Sequence, residues 1–179
     1  MPKDDDPFEQ WRAGSAAKET HKISLPSGKT IAVRKHSVLF DAWSSPPIRD
    51  TYGGKTVVNL HGEELFAELA ILYLVENDGF EGVWVDTYRN RFLHSMAQEG
   101  CTLPAWVEAR YEEIAAANGS KSGCWDVLAW RGDSVLFVEC KRKGKDRIQP
   151  TQERWLAAAF QVGVGAESFL ICEWDLKAV

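Results

Sequence analysis

Three residues near the middle of the chain have the types and spacing to do chemistry: Asp126, Glu139 and Lys141. The apolar run Val135-Leu136-Phe137-Val138 predicts a buried strand, and it ends in Glu139-Cys140-Lys141. Side chains alternate along a strand, so Glu139 and Lys141 share one face and Val138 and Cys140 the other. If Trp130 pairs with Val135 across the short Arg131-Gly132-Asp133 turn, Asp126 lies directly opposite Glu139. Cβ atoms so opposed sit about 4.5–5.5 Å apart, and like charges there destabilise a sheet. A divalent cation resolves the conflict, because Mg²⁺ is held by one or two carboxylates together with waters and substrate phosphate. Lys141, on the same face, could orient a water or neutralise charge developing on a phosphate. The alternative is an exposed face on which Glu139 and Lys141 form an ordinary surface pair of small energetic worth.

The chain carries 179 residues and a net charge of −5, which argues against a protein that coats nucleic acid indiscriminately. Its basic residues are nonetheless concentrated: from Lys141 to Arg147 stand five basic residues and one acid, immediately after the strand that bears Glu139. A solvated turn or a phosphate-holding loop would each produce that run. With 45% apolar and 26% charged residues the composition is that of a globular domain. No apolar run reaches the roughly 20 residues of a membrane span, and the opening MPKDDDPFEQW lacks the apolar centre of a signal peptide, so a cytoplasmic location is expected. Cys101, Cys124, Cys140 and Cys172 are scattered without a Cys-x-x-Cys pair and read as reduced core residues. His21, His36, His61 and His94 show no ligand spacing.

The elements that must position these side chains follow from periodicity and punctuation. Residues 1–20 are polar and expected to be loose. His21–Arg34 predicts two short strands around Pro26-Ser27-Gly28, and residues 1–58 as a whole read as an accessory N-terminal segment, ahead of a main domain at 59–179. Gly62–Asn77 predicts a largely buried helix with acids in its first turn, ended by Gly79. Glu81–Thr87 predicts a strand, Pro104–Ala117 an amphipathic helix within a long insertion at about 88–120, and Cys124–Trp130 and Ser134–Lys141 a strand pair. Pro150–Gln161 predicts a helix with proline at its first position, and Ser168–Trp174 a last strand. The fold class is therefore α/β: helix, three strands, helix, strand, with a mixed sheet flanked by helices.

This arrangement resembles the PD-(D/E)xK nuclease superfamily, and within it the VRR-NUC domain family. Gly123-Cys124-Trp125-Asp126 looks like that family's Gly-x-Pro-Asp, and Phe137–Lys141 like its apolar-Val-Glu-x-Lys strand. Asp146-Arg147-Ile148, followed by Gln152, Trp155 and Leu156, looks like its Asp-Arg-Leu and Gln-x-x-Trp-Leu helix. The resemblance spans roughly residues 120–175 and departs at Trp125, where the family has proline. It implies a PD-(D/E)xK nuclease-like core and a metal held by Asp126, Glu139, the Cys140 carbonyl and a helix glutamate. Glu64 and Glu68 both suit that last role; the spacing of Glu68 from Gly79-Phe80 favours Glu68. The resemblance also implies that Gln152 supports the site or touches substrate. Trp155 and Leu156 are expected in the core. Arg89 and Arg91 suit either a phosphate grip or an exposed loop.

The expectation is a deoxyribonuclease that hydrolyses phosphodiesters with Mg²⁺, for which Mn²⁺ would substitute. Arg142, Lys143, Lys145 and Arg147 would hold the DNA backbone. Such contacts position nucleic acid without reading its sequence, so an endonuclease selective for DNA structure is more natural than one with a sequence site. Small members of the family act as homodimers on branched DNA, in repair, phage or defence settings. No organic cofactor and no membrane partner are expected. Two other readings compete: a catalytically inactive nuclease fold serving as a DNA-binding or assembly subunit, and a small α/β protein that binds only another protein.

Overall fold

The structure, a computed structural model, describes residues 6–16, 19–47, 50–96 and 100–179. Its first element is α1 (Pro7–Ala16), inside the stretch expected to be loose; residues 1–5, 17 and 18 of that stretch lie outside the described residues. The helix starts where an Asp-Pro pair allows: the Asp6 carboxylate accepts the Phe8 N–H at 3.0 Å, and Pro7 occupies the first helical position. Trp11 anchors it, buried edge-on against His36 with ring centroids 4.8 Å apart.

Strands β1 (Thr20–Ser24) and β2 (Thr30–Ala42) form the expected hairpin, but β2 runs on for 13 residues. The short strands β3 (Val57–Leu60) and β4 (Glu63–Phe66) follow, then α2 (Ala67–Asn77). Here the structure corrects the sequence reading, which placed Glu63–Phe66 inside the helix. His61 and Gly62 both adopt positive φ, 51° and 90°, the geometry of a two-residue hairpin turn. Asn59 Oδ1 accepts the Gly62 N–H at 2.7 Å and braces that turn. A continuous apolar run does not distinguish a buried strand from a buried helix, and the turn decides it.

The remaining elements are β5 (Glu81–Asp86), β6 (Arg91–Leu93), α3 (Ala105–Asn118), β7 (Val127–Arg131), β8 (Ser134–Arg142), α4 (Pro150–Gln161), and β9 (Phe169–Leu176) behind one turn of 3₁₀-helix at Ala166–Ser168. The stretch 88–120 thus supplies a short edge strand as well as the expected helix; residues 97–99 lie outside the described residues. The strands join in the order β4-β3-β2-β9-β8-β7-β5-β6, with β1 on β2. The sheet is mixed: β2 and β8 pair β9 in parallel, and the other pairings are antiparallel. The N-terminal segment, read from sequence as accessory, therefore places β2 beside β9 within the same sheet.

Alternation along β8 divides the core. Leu136, Val138 and Cys140 face α2, in a layer with Leu69, Leu72 and Phe66. Val135 and Phe137 face α3 and α4, in a layer with Trp125, Trp155 and Leu156. Trp155 and Leu156 are fully buried, as expected. At roughly 25 cal/mol per Å² of apolar surface removed from water, these two layers are the main stabilising term. No helix among the described residues is long and apolar enough to cross a membrane. The cysteines are free thiols, three of them buried.

Candidate active site

The β7–β8 hairpin has the register read from the sequence. Trp130 pairs with Val135 and Val127 with Val138, so the next positions outward are Asp126 and Glu139. One correction applies: β7 begins at Val127 rather than Cys124, and Asp126 stands just before it. Its main-chain carbonyl accepts the Val85 N–H at 2.7 Å, while its carboxylate Oδ2 accepts the Cys140 N–H at 2.9 Å. The side chain thus takes the place of the next ladder bond to β8, which pins the carboxylate beside Glu139.

Two neighbours of Asp126 explain why the chain turns there. Gly123 has φ +87°, and a Cβ at that position would stand 2.1 Å from the Thr151 carbonyl oxygen, so only glycine lets the first turn of α4 approach. Trp125 is buried, packs edge-on against Phe169 at 4.8 Å, and donates its indole N–H to the Gln152 carbonyl at 3.3 Å. The start of β7 and the start of α4 are therefore locked together, which brings Gln152 to Glu139.

Glu139 is 1% exposed. Its Oε1 accepts from Gln152 Nε2 at 2.6 Å and lies 2.9 Å from Lys141 Nζ; its Oε2 is buried with no hydrogen-bond partner. Gln152 is itself oriented, because its Oε1 accepts from Lys141 Nζ at 3.1 Å and from the Gln149 N–H at 2.8 Å. Burial, and then the nearby Asp126 charge, push the Glu139 carboxyl well above the usual carboxylate range, against the opposing pull of Lys141. A proton held there belongs on Oε2, since Oε1 already accepts from two donors. Asp126 is pushed up to about 6, first by burial and then by the Glu68 charge; the Cys140 N–H, Lys55 and Lys141 act the other way.

Glu68 sits in the first turn of α2, the helix that packs on the Leu136, Val138 and Cys140 face of β8, and its carboxylate is held by the Lys55 ammonium. Glu64, the other candidate within the expected helix, is instead buried in β4 opposite Asn59. Lys55 is the residue that sequence reasoning missed. It lies in an irregular stretch before β3, and nothing in Tyr52-Gly53-Gly54-Lys55-Thr56 marks it; the β3–β4 hairpin alone returns it to Glu68. Its ammonium also lies 5.6 Å from the Trp84 ring and 5.8 Å from the Phe66 ring. Two cavities meet at this Lys55–Glu68 pair. One, of about 310 Å³, adds Tyr52, Trp84, Asp86, Tyr88 and Asp126 to its walls. The other, of about 280 Å³, adds Cys140, Arg142, Lys145, Asp146 and Trp174.

The basic run divides. Arg142 turns inward: its guanidinium approaches Asp175 at 3.4 Å and lies 5.3 Å from the Trp174 ring, while its N–H donates to Asp146 at 3.0 Å. Lys143, Lys145 and Arg147 are exposed. Arg91 is paired with Asp86 at 3.2 Å and Arg89 stacks on Tyr52 at 3.7 Å, so both brace the loop after β5.

The donors that could hold a cation are all oxygens: the carboxylates of Asp126, Glu139 and Glu68 and the Cys140 carbonyl. A hard divalent ion suits that set; without one, a proton on Glu139 Oε2 shared with Asp126 relieves the same buried oxygen. Three or more His, Cys, Asp or Glu side chains do not converge as a metal cluster among the described residues. Instead two ammonium groups, Lys141 and Lys55, supply the positive charge against Glu139 and Glu68. No protein-family model, curated protein or solved structure matches this chain, so the geometry stands on its own.

Proposed function

We propose that the protein is a Mg²⁺-dependent deoxyribonuclease of PD-(D/E)xK type, related to the VRR-NUC domains, that cleaves DNA by its structure. One observation carries this reading. Two carboxylates, Glu139 on β8 and Asp126 just before β7, lie in one site where the Asp126 charge raises Glu139, with an ammonium 2.9 Å from Glu139 and a buried oxygen left without a donor. Burial of like charges is costly unless something compensates it, and the site keeps its arrangement through a dedicated brace, Gln152. The element order from α2 to β9 agrees with the reading.

Asp126, Glu139 and the Cys140 carbonyl would hold Mg²⁺, with Glu68 joining directly or through water, and Mn²⁺ would substitute. Bound there, the ion would polarise a phosphoryl oxygen and acidify a water. Lys141 would place the attacking water and oppose the charge that grows on the phosphate. Gln152 keeps Glu139 and Lys141 in register with each other. Lys143, Lys145 and Arg147 would grip the backbone, which favours recognition of branched or junction DNA over a sequence site. A homodimer on such a substrate belongs to the same proposal.

The two lysines favour a second reading. Ammonium groups already neutralise Glu68 and Glu139, as in a nuclease fold kept only as a DNA-binding or assembly subunit. Labelled single-stranded, duplex, flapped and four-way DNA, incubated with Mg²⁺ and with EDTA, separates the two. Cleavage that needs Mg²⁺ and disappears in Asp126→Asn is the expected result. DNA binding indifferent to EDTA, with no cleavage of any substrate by Mg²⁺ or Mn²⁺, would establish the second reading.

A further inference from the structure

We infer that Lys55 is a substrate-binding residue of this site, one that exchanges the Glu68 carboxylate for a DNA phosphate when a divalent cation takes its place. The inference rests on the cleavage reading above and extends it to a residue outside the helix–strand core.

Three features place Lys55 in this role. Its ammonium contacts Glu68, whose side chain is 12% exposed, while its own side chain remains 33% exposed, so it reaches solvent from a largely buried pair. It stands at the wall shared by both cavities, toward Asp126 on one side and toward Arg142 and Lys145 on the other. It also comes from the irregular stretch between β2 and β3, and its side chain rests against Phe66 and Trp84 rather than within a packed layer. A flexible four-carbon stem then lets the ammonium swing with little disturbance of the core.

The electrostatics set the direction of exchange. Lys55 contacts Glu68, and both line one cavity with Asp126. With no metal, Lys55 is the counter-ion that makes this acidic cavity tolerable. A divalent cation shared by Asp126 and Glu68 removes the need for that ammonium and repels it. The nearest alternative is the cavity lined by Arg142 and Lys145, where three cationic side chains face two acidic ones, Glu68 and Asp146. A phosphate oxygen there gives Lys55 a new partner. Metal and Lys55 thus compete for Glu68, whereas metal and DNA cooperate through Lys55.

That combination gives opposite signs in two measurements made without turnover. Mn²⁺ binding to DNA-free protein, followed by calorimetry, is expected to tighten about fivefold in Lys55→Gln, because its competitor is gone. DNA binding, followed by fluorescence anisotropy, is expected to be unchanged by Lys55→Gln in EDTA. In Ca²⁺ the same variant is expected to bind more weakly, with a salt slope shallower by about one phosphate contact. Lys55→Arg keeps the charge and should behave like wild type in DNA binding, which controls for misfolding. Weaker Mn²⁺ binding in Lys55→Gln would make Lys55 a fixed clamp that orients Glu68, and would overturn the exchange. An equal loss of DNA binding in EDTA and in Ca²⁺ would overturn it too. Failure of wild-type protein to bind Mn²⁺ at all would instead overturn the cleavage reading on which the inference rests.

Discussion

The two ends of β8 carry clefts of opposite character. At its N-terminal end, Ser134, Val135 and Leu136 border the larger, about 680 Å³, together with Arg34, His36, Asp78, Arg110, Arg131 and Glu167. At its C-terminal end lie the two smaller cavities that meet at Lys55 and Glu68. Size points to the first, and chemistry to the second. The arginines of the large cleft are already occupied with main-chain carbonyls: Arg131 with Asp78 at 2.9 Å, Arg34 with Glu167 at 3.0 Å, Arg110 with Val162 at 3.4 Å. Asp78 and Val162 are the C-cap residues of α2 and α4, so two of these arginines close helix ends, where cations are favoured. Its one perturbed group, His36, is simply held neutral by burial and by Arg34. At the other end two carboxyls are pushed up in series, Asp126 by burial and the Glu68 charge and Glu139 by burial and the Asp126 charge. Volume records where elements fail to meet, whereas unrelieved charge records where something must bind.

The sharpest way to break this contrast is to damage both ends and measure cleavage. Asp126→Asn and Lys141→Ala should each reduce Mg²⁺-dependent cleavage about a thousandfold while circular dichroism shows a folded protein. Arg131→Ala should leave cleavage intact and lower the melting temperature by about 2–4 °C, a loss near 1 kcal/mol. Comparable losses of activity from both ends would mean that the large cleft takes part.

Gln152→Ala probes whether the brace matters as much as the acids. It leaves Glu139 Oε1 with Lys141 as its remaining donor and takes from Lys141 one of its acceptors. An effect of about 10–100-fold is expected, in kcat rather than KM. An unchanged kcat would reduce Gln152 to a cap of α4.

The pH dependence of stability sharpens the contrast without any substrate. Asp126 titrates near 6 in the folded protein and near 4 when unfolded, so between these values the folded state holds the extra proton. The Asp126 contribution to stability in EDTA should therefore be fully present below about pH 4 and be lost as pH rises through about 6. The fall should be on the order of 2 kcal/mol. Glu139 acts in the same direction. Asp126→Asn should flatten much of this fall, and urea unfolding at a series of pH values measures it. Stability that rises over this window would show that neither carboxyl is strained.

The smallest effect is expected at the basic turn. Removing Lys143 and Lys145 together should lower the salt slope of DNA binding by about two phosphate contacts and leave the chemistry of pre-bound DNA unaltered. An unchanged slope would assign these lysines to solvation alone.

The sequence by itself determined what is decided over short separations. The register that sets Asp126 beside Glu139 follows from a tight turn and strict alternation, both local, and it is the observed register. Pro150 marks the start of α4, and the helix occupies the expected residues. Even the strand at Glu63–Phe66, misread as helix, had its signal in His61-Gly62, a turn pair hidden by the apolar run behind it. Only the tertiary structure decided the rest. The parallel pairing of β2 with β9 joins residues more than a hundred positions apart through main-chain hydrogen bonds, and main-chain groups are the same for every residue. Lys55 reaches Glu68 because a hairpin folds between them, and Arg142 leaves the basic run because Asp175 and Trp174 stand beneath it. A charged side chain's role depends on its partner, and the partner is chosen by the path of the backbone, which no local pattern specifies.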